Sequence, residues 1–267
     1  MIKINKDYDT IPDSLKIPND TNFPDGIPIK PRTTHARRLE VIDNESYIDK
    51  GRYNNRYKTD DIRTALKDIY HNKCAYCEQK IEQYQVEHFR PKKVYYWLAF
   101  SWDNLLMGCA TCNQHKGINF AIDGDKFEFV NSEENINAIN TSSSDCDSTE
   151  LPRFVNPEVT NPYGYIHFTK SGSIYSHDPR FTYTISTCKI DRDYLNDERR
   201  KLLDVFRRDI KSALIDNESV DDQRNEIATV TKKFIRDAKD IELQYLAFRK
   251  YSIENDWLSD IIKELTP

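Results

Sequence analysis

The spacing of apolar residues predicts helices towards both ends of the chain. Between residues 36 and 72, apolar side chains recur at helical intervals, as at Ile62, Leu66 and Ile69. Between residues 191 and 267, two stripes predict two long amphipathic helices, whose apolar faces either join the core or bind a partner. The first stripe consists of Leu195, Leu202, Phe206, Ile210 and Leu214, and the second of Ile227, Phe234, Ala238, Ile241, Tyr245 and Phe248.

The middle of the chain predicts a strand, a loop, a strand and a helix. Residues 81–89 contain strand-forming side chains at Ile81, Tyr84, Val86 and Phe89, and a proline follows two residues later. The apolar residues 105–107 predict the second strand, and a glycine follows them. A helix is then expected from about residue 112.

Composition divides the chain into four parts. Residues 1–35 are rich in proline, which predicts an extended N-terminal arm over the surface. Residues 36–130 combine the helical lead-in with a cysteine-rich core. Residues 131–150 contain no Lys or Arg and many Ser and Asn, which predicts a polar flexible loop. Residues 151–267 predict a short β segment, in the runs YIHFTK and FTYTIST, and then the C-terminal helices.

The overall composition indicates a soluble globular protein. Hydrophobic residues make up 38% and charged residues 31% of the chain. There is no apolar run of the ~18 residues that a membrane span needs, and the first residues lack the apolar centre of a signal peptide. A cytoplasmic location is therefore expected. The net charge of −5 argues against a wholly basic nucleic-acid coat protein but allows a local basic cleft.

Four of the six cysteines form two C-x-x-C pairs. Cys74 and Cys77 make the first pair, and Cys109 and Cys112 the second, all within 39 residues. Disulfides are not expected in a chain without a secretion signal, and four such thiolates can surround one Zn²⁺ tetrahedrally. Ordinary buried thiols or redox pairs are the alternatives. The two remaining cysteines, at 146 and 188, are expected to be free thiols.

The polar residues between the two pairs, and directly after the second, carry the candidate chemistry. Glu87 and His88 precede Asn104, and Asn113 follows the last cysteine of the pairs. This order resembles the HNH endonuclease motif, a ββα-metal fold with a four-cysteine zinc site. The resemblance implies an α+β, mainly helical protein in which an embedded ββα-metal HNH motif is stapled by the zinc site.

The resemblance also implies a role for each of these residues. Glu87 and Asn113 are expected to hold a catalytic Mg²⁺ or Mn²⁺, His88 to be the general base, and Asn104 to brace the loop that orients His88. An imidazole with a pKa near ~6.5 can take a proton from water, and Mg²⁺ prefers oxygen ligands. The family usually has Asp and His where this chain has Glu87 and Asn113. His115 is an alternative ligand, although it lies ~200° around a helix from Asn113.

Basic and aromatic residues near the motif suggest contacts with nucleic acid. Arg90, Lys92 and Lys116 are candidates to hold phosphate oxygens, with solvated charges as the alternative. Neighbouring aromatic residues could stack on bases but are expected to pack in the core below the motif. These aromatic residues are Tyr95, Tyr96, Trp97, Phe100 and Trp102.

A wider resemblance extends over more of the chain. The runs CAYCE, EHFRPK, YYWLAFSWDNLL and CATCNQHKG resemble the PtuB-type HNH proteins of Septu and related retron anti-phage systems. This implies a DNA endonuclease controlled by a PtuA-like ATPase partner, docked on the C-terminal helices or the arm. No P-loop motif occurs in the chain itself. The alternatives are a toxin-like nuclease acting on RNA and a non-catalytic zinc module that binds nucleic acid or protein.

Overall fold

The computed structural model describes residues 1–18 and 33–266 and is mainly helical, which confirms the predicted α+β class. The helices are α1 (Thr34–Asp43), α2 (Gly51–Asn54), α3 (Asp60–Tyr70), α4 (Ala110–Lys116), α5 (Glu133–Ala138), α6 (Asp147–Glu150), α7 (Pro179–Thr187), α8 (Asp193–Ile215), α9 (Val220–Asp237), α10 (Leu246–Glu254) and α11 (Trp257–Leu265). The strands are β1 (Tyr84–His88), β2 (Leu105–Cys109), β3 (His167–Phe168) and β4 (Ile174–Tyr175). Each strand pair, β1 with β2 and β3 with β4, is antiparallel. None of the helices in the described ranges is long and apolar enough to cross a bilayer.

The helical lead-in packs against the central strands. Helix α3 buries Ile62, Leu66 and Tyr70, which are four residues apart and share one face. That face lies against β2, and the helix ends at His71, whose φ of 51° is left-handed. The opposite face of α3 is charged and exposed, and its Lys67 ammonium lies 5.6 Å from the ring centroid of Tyr84 on β1.

The sequence predicts that the first residues form an arm over the surface, but the structure differs. Met1, Ile4 and Leu15 are buried in the core. The buried Lys6 ammonium donates to the carbonyl oxygens of Trp102 (2.7 Å) and Leu105 (2.6 Å). It also lies 3.3 Å from the buried carboxylate of Glu158. The described part of the arm therefore contributes buried residues to the core, and residues 19–32 lie outside the described ranges.

The segment 131–150 also differs from the predicted loop. It contains α5, a 3₁₀ turn over Ser143–Cys146 and α6. Cys146 and Glu150 are buried, and the Glu150 carboxylate pairs with the buried guanidinium of Arg90. A buried arginine needs a carboxylate partner, and this polar segment supplies it.

The run FTYTIST is helical rather than extended. It forms most of α7, which begins with Pro179 at its first position. The Asp178 side chain accepts hydrogen bonds from the backbone nitrogens of Arg180 (2.8 Å) and Phe181 (3.2 Å). This N-cap and the following proline outweigh the strand preference of the β-branched residues. The predicted β segment is reduced to the short hairpin β3–β4.

Within residues 191–266 the structure has four helices, α8 to α11, rather than the two predicted. The second predicted stripe is interrupted after α9, and the chain turns before Tyr245, whose φ of 58° is left-handed. Ile241, in the turn, is 44% exposed. Helices α8 and α9 pack together through the rings of Phe206 and Phe234, whose centroids are 5.5 Å apart.

We expect His35 to make stability depend on pH below neutrality. Its imidazole is 7% exposed, and burial together with the Arg38 guanidinium lowers its pKa to about 4. The unfolded chain takes up a proton below ~6.5 and the folded chain does not. Stability is therefore fully present above pH ~6.5 and falls towards pH 4, by about 1–2 kcal/mol after allowing for solvent screening.

Urea unfolding at pH 7.5 and pH 5 measures this dependence. His35→Asn keeps an acceptor near Arg38 but does not titrate, so it should lose less stability on acidification. An equal loss of stability in the wild type and in His35→Asn between pH 7.5 and pH 5 would contradict the assignment to His35.

Candidate active site and metal centre

The first cysteine pair forms a tight turn that docks on β2. The backbone nitrogen of Cys74 donates to the carbonyl oxygen of Gln79 (3.0 Å), and Glu78 closes the turn with a left-handed φ of 61°. The backbone nitrogen of Ala75 donates to the carbonyl oxygen of Met107 (2.8 Å). This docking brings the first pair close to the end of β2, where the second pair begins.

The second pair lies at the junction of β2 and α4. Cys109 ends the strand and caps the helix, because its sulfur accepts a hydrogen bond from the Cys112 nitrogen at 3.3 Å. All four cysteines are buried, and their sulfur atoms lie within 4.8 Å of one another. The sulfurs of Cys77 and Cys109 are 3.9 Å apart, close to the ~3.8 Å expected for a tetrahedral zinc–thiolate site. The predicted four-cysteine cluster that can hold a metal ion is confirmed.

Arg192 is a neighbour of this cluster that sequence reasoning missed. Its Nη1 atom lies 3.8 Å from the Cys112 sulfur, and it also donates to the carbonyl oxygen of Lys189 (3.0 Å). Arg192 precedes α8, far along the chain from the cysteines, so no local spacing pointed to it. A cation here offsets part of the negative charge of the thiolates.

Strands β1 and β2 and helix α4 form the predicted strand, loop, strand and helix order. Glu87 lies opposite Leu106 in the ladder. A β-carbon added at Gly108 would lie 3.2 Å from the Glu87 β-carbon and 3.8 Å from that of Asn113. The glycine therefore leaves room for these two side chains to start close together, although 26 positions separate them in the sequence.

His88 is held in one defined tautomer. Its Nε2 atom lies 3.0 Å from the Ala99 carbonyl oxygen, which can only accept, so Nε2 carries the proton and Nδ1 the lone pair. The His88 and Tyr57 rings pack in a T-shaped arrangement with their centroids 4.5 Å apart. Burial, with a contribution from the Lys92 charge, lowers the pKa of His88 to about 3. The imidazole is thus neutral at physiological pH, with Nδ1 unprotonated.

Asn104 ties together the loop that follows β1. Its Oδ1 accepts from the Arg90 backbone nitrogen (2.7 Å), and its Nδ2 donates to the carbonyl oxygens of Arg90 and Leu98 (3.0 Å each). Ala99, the acceptor for His88, comes next in the chain. These are the contacts that a brace for the His88 loop requires.

The two predicted ligands of the catalytic ion differ in their surroundings. The Glu87 carboxylate is 3% exposed and lies 2.7 Å from the Lys116 ammonium, while burial raises its pKa. Asn113 is partly exposed on α4 and donates from Nδ2 to the Gln85 side chain (2.5 Å), which leaves its Oδ1 available. Carboxylate and amide oxygens suit Mg²⁺ or Mn²⁺. His115 is exposed on another side of α4.

Two of the three predicted phosphate contacts are buried instead. Arg90 is 0% exposed and lies between the carboxylates of Asp147 and Glu150. Lys116 is also 0% exposed and donates to the His88 carbonyl oxygen at 2.7 Å. Both hold the fold around the motif, so neither is placed to bind a phosphate. Four of the five neighbouring aromatic residues are buried, as expected for core residues, and the fifth, Tyr96, is partly buried.

Lys92 does reach a cavity beside His88. The cavity has a volume of about 330 Å³ and mainly polar walls. Its lining residues are Tyr57, Lys58, Arg63, Tyr84, Gln85, Val86, His88, Lys92 and Asn113. Tyr57, Lys58 and Arg63 belong to the helical lead-in and were not predicted as site residues. The charged face of the predicted helix was a signal for them.

Comparison with known proteins agrees with this geometry. Residues 74–118 match the family model for HNH endonuclease. A Septu protein PtuB of Bacillus mycoides (strain KBAB4) is 40% identical over 86 residues, which are 26% of this chain and 29% of that relative. A Septu protein PtuB of Bacillus thuringiensis is 43% identical over 60 residues, 21% and 23% of the two chains. Each match thus spans less than a third of the relative. Residues 74–118 therefore form a domain of the HNH endonuclease family.

Proposed function

We propose that the chain hydrolyses phosphodiester bonds of DNA with Mg²⁺ or Mn²⁺ held by Glu87 and Asn113. The observation that carries this proposal is the neutral His88, whose lone pair is on Nδ1 and whose ring lines a polar cavity shared with Asn113. A non-catalytic module would not require a buried imidazole fixed in one tautomer beside such a cavity. We also propose that the four-cysteine cluster holds a structural Zn²⁺ that takes no part in the chemistry.

The reaction assigns one task to each residue. A water oxygen forms the new bond to phosphorus while its proton passes to Nδ1 of His88, and the bond from phosphorus to the leaving sugar oxygen breaks. The leaving oxygen then takes a proton from solvent. Asn104 keeps the imidazole in place through the loop that it braces. The divalent ion, when bound, offsets charge on the phosphate and assists the leaving oxygen.

An anti-phage role and an ATPase partner belong to the same proposal. They are supported by the Septu name of the two relatives and by the PtuB-type sequence runs. The exposed apolar residues Val205, Ile215 and Val220 on α8 and α9 are suited to contact a partner. Co-purification with a PtuA-type ATPase should fall when Ile215 and Val220 are replaced by glutamate, and undiminished binding would move the partner elsewhere.

Plasmid cleavage tests the nuclease. Supercoiled DNA should be nicked by the protein, with its partner added if needed, in Mg²⁺ or Mn²⁺ and not in EDTA. Asn113→Ala removes an oxygen ligand from a helical position that alanine favours, so at least about tenfold lower activity in a folded protein is expected. Gln114→Ala is the matched control, because it removes an exposed amide from the next position of α4.

The outcomes separate the candidate functions. Cleavage of RNA and not DNA would favour the RNA nuclease. Equal cleavage by Asn113→Ala and Gln114→Ala would remove Asn113 from the site. If neither DNA nor RNA is cleaved with partner and metal present, the nuclease proposals fail and the non-catalytic zinc module is the remaining candidate.

A further inference from the structure

A group of three cations borders the cavity beside His88, and we call it the cationic strip. It consists of Lys58, in the turn before α3, Arg63 on α3, and Lys92 in the loop after β1. Lys58 and Arg63 are exposed, and Lys92 is partly buried. The strip therefore combines the lead-in and the HNH domain into one surface.

None of the three cations forms a direct ion pair in the described part of the chain, although the Asp49 carboxylate lies near enough to interact with Lys58 and Lys92. Across residues 1–18 and 33–266, no carboxylate lies within ion-pairing distance of the three side chains, whereas the adjacent Lys93 is 3.8 Å from Asp49. The protein as a whole has a net charge of −5, so a cluster of unpaired cations is a local departure from its average. Unpaired cations at a polar cavity favour a polyanion as the occupant.

Tyr57 connects the strip to the catalytic histidine. The ammonium groups of Lys58 and Lys92 lie 5.4 Å and 5.3 Å from the Tyr57 ring centroid. The same ring packs on His88, with ring centroids 4.5 Å apart. The positive potential of the strip therefore extends to the place where a scissile phosphate would lie.

We propose that Lys58 and Arg63 bind backbone phosphates of the nucleic acid beside the scissile bond, so that the helical lead-in forms one wall of the substrate cleft. This rests on the proposed nuclease function and names the surface that positions its substrate. Lys58 and Arg63 thereby take the role that the sequence suggested for Arg90 and Lys116. Phosphate contacts of this kind position the strand without reading its sequence.

Equilibrium binding tests the strip without depending on cleavage. In a His88→Ala background without divalent ions, a labelled duplex DNA is titrated at several KCl concentrations and followed by fluorescence anisotropy. Lys58→Ala with Arg63→Ala should weaken binding about tenfold. It should also lower the slope of log Kd against log[KCl] by about 1.8, since each duplex phosphate contact contributes about 0.9.

The matched control is Lys232→Ala with Arg236→Ala. It removes one exposed lysine and one exposed arginine from α9, so the change in net charge is the same. Affinity and slope close to those of the parent are expected. Equal effects of the two double variants, or no binding of DNA or RNA by the parent, would overturn the proposal.

Cleavage assays distinguish the failure of this inference from the failure of the proposed function. If the wild type cleaves DNA and the strip variant binds and cleaves as well, the strip proposal fails and the nuclease stands. If binding depends on the strip but the wild type cleaves nothing, the strip stands and the catalytic proposal fails. Single-stranded DNA and RNA in the same titration identify which backbone the strip prefers, with a slope change of about 1.4 for a single strand.

Discussion

Cys109→Ser is expected to unfold the HNH domain and not only to lower its activity. Cys109 connects β2 to α4 and supplies one of four buried sulfur atoms. Structural zinc contributes about 10–16 kcal/mol of apparent binding free energy, as much as the whole stability of a typical domain. Serine is a good N-cap, so the helix cap is retained while the metal ligand is lost. A severe loss of stability would therefore report the metal site.

Metal content and thermal unfolding measure this effect. The wild type should contain about one equivalent of zinc by mass spectrometry, and Cys109→Ser little or none, with a melting temperature lowered by tens of degrees. Cys146→Ser is the control, because this buried cysteine is not a member of the cluster. It should keep its zinc. A metal-free Cys109→Ser protein with the wild-type melting temperature would show that metal binding at the cluster does not stabilise the fold.

His88→Ala should lower the rate of phosphodiester cleavage by about 10²–10⁴-fold, the usual contribution of a general base. The ring is fixed by the Ala99 carbonyl oxygen and by Tyr57, and its lone pair is on Nδ1. No other histidine lines this cavity among the described residues. His88→Gln keeps a side-chain donor but cannot take up a proton at neutral pH, so it should be similarly inactive.

His115→Ala is the matched control for the loss of an imidazole. His115 is exposed on α4. The His115→Ala protein should therefore cleave DNA at nearly the wild-type rate. Zinc content and circular dichroism of His88→Ala should match the wild type, since this residue is not a member of the four-cysteine cluster. Wild-type activity in a zinc-loaded His88→Ala protein would exclude His88 as the base.

The sequence predicted the parts of the site that depend on local spacing. Two C-x-x-C pairs are enough to predict a metal cluster, because each pair supplies two ligands from one short turn. The alternation of β1 and the glycine in β2 likewise predict a hairpin followed by a helix. Asn104 was identified by its place in a motif, and the structure gives the three hydrogen bonds that it makes.

Burial of charge could not be predicted in the same way. Arg90 and Lys116 look like surface cations in the sequence, and their burial depends on partners that folding brings to them. Glu150 is 60 positions from Arg90, and its segment resembles a polar loop in composition. Such pairs are determined by tertiary contacts, which residue type and local periodicity do not report.

Two of the errors in secondary structure have different causes. The helix α7 could have been predicted, because Asp178 and Pro179 form a recognisable N-terminal signal before a run of β-branched residues. The break after α9 has no such signal. Neither glycine nor proline occurs between Asp237 and Tyr245, and the apolar stripe continues in phase.

The Lys6 contacts have a consequence for the order in which the protein assembles during synthesis. Lys6 leaves the ribosome before its acceptors, which flank Asn104, and before its carboxylate partner Glu158. At about 5–20 residues per second, that partner follows by roughly 8–30 seconds. We expect the loop around His88 to be completed only after this interval, so a nascent chain that already contains the whole HNH domain would still be incompletely assembled.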